Sequence, residues 1–303
     1  MTSISGSVEW FLLVKNEKYI LIFSDIHSKS KYCTNNDSVF FNEWLNSIKN
    51  NSLVLIEEVD RTNVELKELW KEAVHTQKLK DWYIKNSNKK NVIPIDIRPF
   101  LLPFSWQLWK ENDECAKYTL KKYIELIKIF LFQEINSENK KIISPLLLSI
   151  IHKLEKVRKN NKKNTGLMKH FNLIKKKFIS FCAKHKDKMN LLIEKWVDQY
   201  DDWMGNYLFY NGELKLLTEI EEIISAIMEW YTILNIMIND KLSVIHAGLA
   251  HTRNIKYILE NIYKFSISES FTHNLNKSTP DACVVLSPDI NDKWTRKIGG
   301  FFL

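Results

Sequence analysis

Residues 19–28 read YILIFSDIHS, and this stretch decides the fold class. Five apolar, β-favouring residues give way abruptly to Ser24, Asp25 and His27, which is the pattern of a buried strand with a polar end. The pattern recurs in three further stretches: LVLIEEVDR (residues 53–61), VIPIDIRP (residues 92–99) and LSVIHAGLAH (residues 242–251). The chain therefore has several buried strands whose polar ends are candidates for chemistry.

Helical patterns separate these strands. A short helix at residues 40–48 follows the first strand, and a second begins at Thr62 or Asn63 and runs to about residue 84. An order of strand, helix, strand, helix, strand favours parallel pairing with helices on the faces of the sheet. We therefore predict an α/β fold with a mixed, mostly parallel sheet, in which residues 8–14 form an antiparallel hairpin with the first strand.

A long helical region interrupts this alternation. Residues 113–238 carry helical patterns almost throughout, and this length exceeds the single helix that a crossover between parallel strands needs. We interpret residues 113–238 as a helical insertion within one α/β domain that spans residues 1–303.

Charge is distributed unevenly along the chain. Lys and Arg outnumber Asp and Glu by 44 to 36, and residues 140–188 hold 15 basic residues against two acidic ones. Residues 191–240 have the opposite balance, with ten acidic residues against two basic ones. Two interpretations stay open: a basic helical layer packed on an acidic one, or a basic surface for nucleic acid or another polyanion.

The cysteines and the apolar stretches of the sequence predict the cellular compartment of the protein. Cys33, Cys115, Cys182 and Cys283 form no CxxC pair, so we expect neither a metal knuckle nor a disulfide scaffold, and a reducing compartment. Residues 1–10 lack a signal-peptide pattern, and no apolar stretch approaches the ~20 residues that span a bilayer. We expect a cytoplasmic or other intracellular protein without a membrane span. Richness in Asn, Lys and Ile is typical of AT-rich genomes such as those of some large DNA viruses, which adds the virion as a location.

The polar strand ends define a candidate site, because ligands in open α/β sheets bind beyond the carboxyl ends of the strands. The side chains there are Asp25 and His27, Glu57 and Glu58, Asp96 and Arg98, and His246 and His251. Imidazoles and carboxylates bind Zn²⁺, Mn²⁺ or Fe²⁺, and they also serve as general acids and bases. We predict that His27, His251 and one glutamate form the site.

Glu57 and Glu58 cannot both enter it from an extended strand, since adjacent side chains point to opposite faces. We favour Glu57 and expect the other glutamate to pair with Arg61 or Arg98. Each arginine is alternatively a clamp for an anionic substrate group.

The remaining titratable residues receive weaker assignments. Asp25 is either a site residue or a loop cap, and His246 is expected to be a core histidine because it directly follows an apolar run. Five histidines in polar or helical contexts are given no role: His75, His152, His170, His185 and His273.

The order of these motifs resembles the superfamily of TraB and Tiki proteins, which includes ChaN-like and erythromycin-esterase-like proteins. SDIH at residues 24–27 resembles the first GxxH motif with Ser in place of Gly. LIEEVDR at residues 55–61 resembles the acid–Arg motif, and GLAH at residues 248–251 is an intact second GxxH. The resemblance covers about residues 17–100 and 240–262 and implies the α/β fold. Tiki proteins are metal-dependent peptidases, whereas many relatives have no settled activity.

Three functions are consistent with these residues. In a metal-dependent hydrolase of peptides or small esters, His27, Glu57 or Glu58, and His251 bind a divalent ion (Zn, Mn or Fe) that activates water, and a remaining carboxylate takes the proton. The replacement of Gly by Ser24 and the charged insertion instead favour a non-catalytic binding or structural protein, viral in one version. A calcineurin-like phosphoesterase is suggested by the DxH formed by Asp25 and His27, although its GD and GNH motifs are absent.

Overall fold

The computed structural model describes residues 1–60, 73–102, 118–159, 165–192, 214–239, 242–273 and 279–296. The chain separates into two compact units. The first contains Met1–Glu58, Glu68–Ile95 and Thr232–Leu303, and the second contains Val59–Lys67 and Asp96–Tyr231. The single domain with an insertion at residues 113–238 stays a prediction.

Strands and helices alternate in the first unit, and helices fill the second. The described strands are β1 (Thr2–Ser5), β2 (Glu9–Lys15), β3 (Lys18–Asp25), β4 (Val39–Phe40), β5 (Leu53–Ile56), β6 (Val92–Pro94), β7 (Ser243–Gly248), β8 (Ser266–Thr272) and β9 (Cys283–Leu286). The described α-helices are α1 (Phe41–Ser47), α2 (Val74–Asn86), α3 (Leu120–Tyr123), α4 (Glu125–Phe132), α5 (Pro145–Lys159), α6 (Thr165–Lys184), α7 (Leu214–Ile238), α8 (Leu249–Asn261) and α9 (Pro288–Trp294). The predicted α/β class is confirmed. The start predicted for the second helix, at Thr62 or Asn63, lies outside the described residues.

A six-stranded sheet with the order β6-β5-β7-β3-β2-β8 forms the centre of the first unit. The four strands β6, β5, β7 and β3 are parallel, whereas β2 pairs antiparallel with both β3 and β8. Strand β7 comes late in the chain but lies between β3 and β5. Its register places Gly248 beside Asp25 and His246 beside Ile56, so the late motif adjoins both early ones.

One face of β3 packs on helix α1. The Phe23 ring lies 4.9 Å from the Phe41 ring and 5.3 Å from the Trp44 ring, and all three side chains are buried. The strand presents Leu21 and Phe23 to the same apolar cluster because alternate residues of a strand share a face. This packing fixes the strand whose end carries Asp25 and His27.

A second, three-stranded sheet has the order β4-β1-β9. The sequence predicts a strand at residues 282–286, which is β9, but it does not predict β1 or the pairing of the three strands. Strand β1 reads TSIS and has no apolar run, yet it pairs with β9, about 280 residues later in the chain. Pairing over such a separation leaves no local pattern.

A disulfide between Cys33 and Cys283 fastens this region. Its Cα atoms lie 4.9 Å apart, and the two cysteines are 250 residues apart in sequence. The expectation that the cysteines form no disulfide is wrong for this pair, because spacing in sequence cannot show which distant cysteines meet. Disulfides are typical of oxidising compartments, so this bond does not favour the predicted intracellular location, which stays a prediction.

In the second unit, the basic helix α6 contacts the acidic helix α7. The His185 ring lies 2.9 Å from the Glu219 carboxylate, which also accepts a hydrogen bond from Lys184, and Lys177 faces Glu222 at 4.0 Å. These contacts agree with a basic layer packed on an acidic one, and polyanion binding through residues 140–188 stays a prediction. Within the described ranges, no helix combines the length and apolar character needed to cross a bilayer.

Candidate active site

Three of the predicted site residues meet at the ends of β3, β5 and β7. Glu57 directly follows β5, and its Oε2 accepts a hydrogen bond of 2.6 Å from the backbone N–H of Gly248, where α8 begins. Its Oε1 lies 3.7 Å from Nε2 of His251, one turn into α8. His27 follows β3 and approaches the same glycine. The parallel register explains this meeting, because it aligns the carboxyl ends of the three strands at one edge of the sheet.

Gly248 borders the space between these side chains. A Cβ at this position would lie 3.3 Å from Glu57 Oε2 and 3.8 Å from His27 Nε2. The backbone of Gly248, with φ −58° and ψ 150°, suits any residue, so the conformation does not require glycine. What the glycine supplies is room between the carboxylate and the imidazole.

Asp25 lies deeper, at the end of β3, and faces three imidazoles. Its Oδ1 is 3.1 Å from His27 Nε2, while its Oδ2 is 3.6 Å from His75 Nε2 and 4.0 Å from His246 Nε2. Complete burial would raise the pKa of Asp25, but the attraction of His27 and His246 and hydrogen bonding to His27 and His75 outweigh burial and hold that pKa well below its usual range. The carboxylate is therefore ionised at neutral pH.

The surroundings of His246 favour the neutral form of its imidazole. Burial lowers its pKa more than the nearby Asp25 carboxylate raises it. Its ring stacks on Phe41 with centroids 4.3 Å apart. A neutral imidazole is the form that binds metal ions, so this environment suits a ligand.

Six side chains form one cluster at this edge of the sheet, and their solvent exposure falls from its outer to its inner members. The side chain of His27 is 25% exposed, and those of His251 and Glu57 are 14% and 8% exposed. Asp25, His75 and His246 are between 2% and 4% exposed. The cluster therefore has an outer part that water reaches and an inner part that it does not.

A hydrogen-bonded framework beside the cluster sets the position of α8. Buried Glu9 of β2 accepts two hydrogen bonds from Arg253 of α8, at 3.1 and 2.9 Å, and one of 3.1 Å from Ser24. The Ser24 hydroxyl in turn accepts a bond of 2.7 Å from Thr252. Ser24, which stands where the resembled motif has glycine, therefore connects β3 to the helix that carries His251.

Truncation of Arg253 to alanine is expected to destabilise the protein by about 2–3 kcal/mol, because it leaves the Glu9 carboxylate buried with less compensation. A fully buried pair would lose more, but the Arg253 side chain is half exposed. Urea unfolding followed by circular dichroism measures the change. Lys256→Ala, which removes an i,i+4 pair with Glu260 on the same helix, should change stability by less than about 1 kcal/mol. Equal losses for the two variants would contradict the role given to Glu9.

The other predicted site residues have different surroundings. Arg98 belongs to the second unit, where its guanidinium contacts both carboxylate oxygens of Asp96 at 2.8 and 2.9 Å. Glu58 is buried directly after Glu57, and Arg61 lies outside the described residues. A catalytic role for these three residues stays a prediction.

Two members of the cluster were missed by sequence reasoning. His75 was given no role, and His246 was expected to be a core histidine; His246 is indeed buried, but its ring also faces Asp25. His75 lies in the first turn of α2, which in sequence is far from any strand end. His246 could have been found because it lies two residues before Gly248 on β7, and residues two apart in a strand share a face. Nothing in the local sequence marks His75.

Comparisons with known proteins add no assignment. No protein-family model, curated protein or solved structure matches the chain. Among the described residues, no group of three or more His, Cys, Asp or Glu side chains is placed so that it could hold a metal ion without side-chain movement.

Proposed function

We propose that the chain is a metal-dependent hydrolase whose divalent ion is held by His27, Glu57 and His251. The observation that carries this proposal is the room over Gly248, which a single Cβ would narrow and which Glu57 and His27 border. His251 adds a second imidazole to the same carboxylate.

The donor set fits such an ion. Two imidazoles and a carboxylate form a common ligand set of catalytic zinc sites, which keep a further position open for water. With metal–ligand bonds of about 2.0–2.2 Å, neighbouring ligands lie roughly 3–3.5 Å apart. The 3.7 Å between His251 and Glu57 is slightly wider, so a small side-chain movement would be needed for binding. When bound, the ion would supply a water of lowered pKa and polarise the scissile carbonyl.

The protein's own groups have separate tasks in this proposal. The N–H of Gly248 holds one oxygen of Glu57 and so aims the other toward His251. Asp25 Oδ1 lies 3.1 Å from His27 Nε2, the same nitrogen that borders the room over Gly248, so this carboxylate lies beside the proposed ion. Its low pKa makes Asp25 a poor proton acceptor, so its role is to supply negative charge.

Two further points bear on the substrate. The resemblance to TraB and Tiki proteins favours hydrolysis of a peptide or a small ester. The DxH of Asp25 and His27, which suggested a calcineurin-like phosphoesterase, makes a phosphoester the third substrate class to assay. Fluorogenic peptide, carboxylic ester and phosphate ester substrates, each with Zn²⁺, Mn²⁺ or Fe²⁺, separate these classes.

Gly248→Ala is the test variant for the site. The added Cβ is expected to weaken metal binding at least ~10-fold, since displacing groups around a metal site typically costs 10–100-fold in affinity. Isothermal titration of the metal-free protein with Zn²⁺ measures the affinity, and circular dichroism monitors the fold. Ala250→Ser, an exposed change two residues along the chain, should bind as the unsubstituted protein does.

Metal affinity that is the same in Gly248→Ala as in the unsubstituted protein would contradict the proposal. A folded protein that binds no divalent ion at all would favour the non-catalytic alternative.

A further inference from the structure

The inner part of the cluster contains nitrogen and oxygen atoms that could bind a metal ion and that the proposed outer ion does not use. Asp25 presents Oδ1 to His27 on the outer side, but its Oδ2 faces His75 and His246 on the inner side. All three inner side chains are nearly inaccessible to water. The Asp25 carboxylate thus lies between the imidazole of His27 and the imidazoles of His75 and His246.

One of the inner side chains, His75, lacks a hydrogen-bond partner for its Nε2 atom among the described residues. The distances of 3.6 and 4.0 Å from Oδ2 to the two imidazoles exceed the usual hydrogen-bond length. Within the described part of the chain, His75 Nε2 is buried without a hydrogen-bond partner of suitable geometry, and on the outer side the same is true of Asp25 Oδ1. A buried imidazole nitrogen without a partner is costly, and a cation between His75 Nε2, His246 Nε2 and Asp25 Oδ2 would give it one.

The neighbours hold the inner rings with their Nε2 atoms facing Asp25. Tyr32 hydrogen-bonds to Nδ1 of His75 at 3.1 Å, which directs the other ring nitrogen inward. Phe41 stacks on His246 and fixes the plane of its ring.

Gly6 makes room for His75. It has a φ of +103°, and a Cβ there would lie 2.9 Å from the His75 Cβ, so only glycine fits. The backbone is thus shaped around this histidine.

We propose that Asp25, His75 and His246 bind a second divalent ion, separate from the ion at His27, Glu57 and His251. This inference rests on the proposed function only in the word second, because the inner ion would be the first one if the outer site bound none. The ligands are two imidazoles and one carboxylate, which suit Zn²⁺, Mn²⁺ or Fe²⁺. Asp25 offers Oδ2 to the inner ion, while its Oδ1 faces His27 of the outer site. The inner site is closed to water, as structural metal sites are, so its ion stabilises the fold, whereas the outer ion is open to substrate.

The test counts ions in purified full-length protein after chelator treatment and reloading with Zn²⁺, by elemental analysis and calorimetric titration. The unsubstituted protein is expected to bind two equivalents. His75→Gln and His251→Gln should each lose one equivalent, and only His75→Gln should lose the inner ion's contribution to the metal-dependent rise in melting temperature. His170→Gln, which changes a buried histidine of α6, is the matched control and should keep both ions.

The outcomes separate this inference from the proposed function. If His75→Gln loses an ion and His251→Gln loses none, the inner site stands and the outer site fails. If a folded His75→Gln keeps the full metal content, or if a single ion is lost in both variants, the inner site is overturned.

Tyr32→Phe keeps the inference testable if His75→Gln does not fold. Loss of the hydrogen bond to His75 should weaken one of the two Zn²⁺ affinities by ~10–100-fold, as outer partners of metal ligands do. Two unchanged affinities in this variant would then overturn the proposal.

Discussion

Replacing His27 by alanine is expected to lower the affinity for the outer Zn²⁺ ion by more than ~100-fold. Loss of a residue that only supports a ligand already costs ~10–100-fold, so the loss of a ligand should exceed that range. Hydrolysis of whichever ester or peptide the unsubstituted protein cleaves should fall with metal occupancy. Calorimetric titration of the metal-free variant measures the first effect, and a fluorogenic assay measures the second.

Two comparisons make this result specific. His152→Ala changes an exposed histidine on α5 and should leave affinity and activity unchanged. His27→Ala should unfold in urea close to the unsubstituted metal-free protein, because His27 is a quarter exposed and lies after the end of its strand. Full activity in folded His27→Ala would contradict a catalytic role for this edge of the sheet.

Removal of the Cys33–Cys283 disulfide is expected to lower the free energy of unfolding by about 2–5 kcal/mol. The bond closes a loop of 250 residues, and long loops gain most in the chain-entropy account of disulfides. It also ties residues 26–38, which carry His27 and Tyr32, to strand β9. Urea unfolding of Cys33→Ser/Cys283→Ser, compared with the oxidised protein, gives the difference.

Cys182→Ser is the matched control for the disulfide. Cys182 lies on α6 as a free thiol, so its replacement should cost far less and should not alter the response to dithiothreitol. Dithiothreitol should destabilise the unsubstituted protein and leave the double variant unaffected. Equal stability of oxidised and reduced protein would show that the bond contributes nothing to the fold.

Local patterns predicted the central sheet well, but of the smaller sheet they predicted only the strand at residues 282–286, which is β9. Apolar runs such as residues 19–23 and 53–56 become β3 and β5, because a strand buried on both faces needs a continuous apolar sequence. The position of β7 between them could not be predicted, since nothing local to residues 243–248 specifies its neighbours. Strand β1 and the disulfide depend on contacts across almost the whole chain, so they were missed.

The candidate site was partly predictable for the same reason. His27, Glu57 and His251 lie shortly after the ends of strands, and parallel strands present their carboxyl ends at one edge. Alternation along an extended segment indicated that only one of Glu57 and Glu58 could enter the site, and Glu57 is the one that hydrogen-bonds to Gly248. His75 enters from a helix and is brought to Asp25 by packing against Gly6, which only the three-dimensional structure reveals.

The most direct test of the account is a crystal structure of the Zn²⁺-loaded protein with anomalous scattering measured at the zinc edge. We predict a peak within about 2.0–2.2 Å of His27, Glu57 and His251 donor atoms, beside the α-carbon of Gly248. Zinc-saturated crystals whose anomalous peaks all lie away from these three side chains would contradict it.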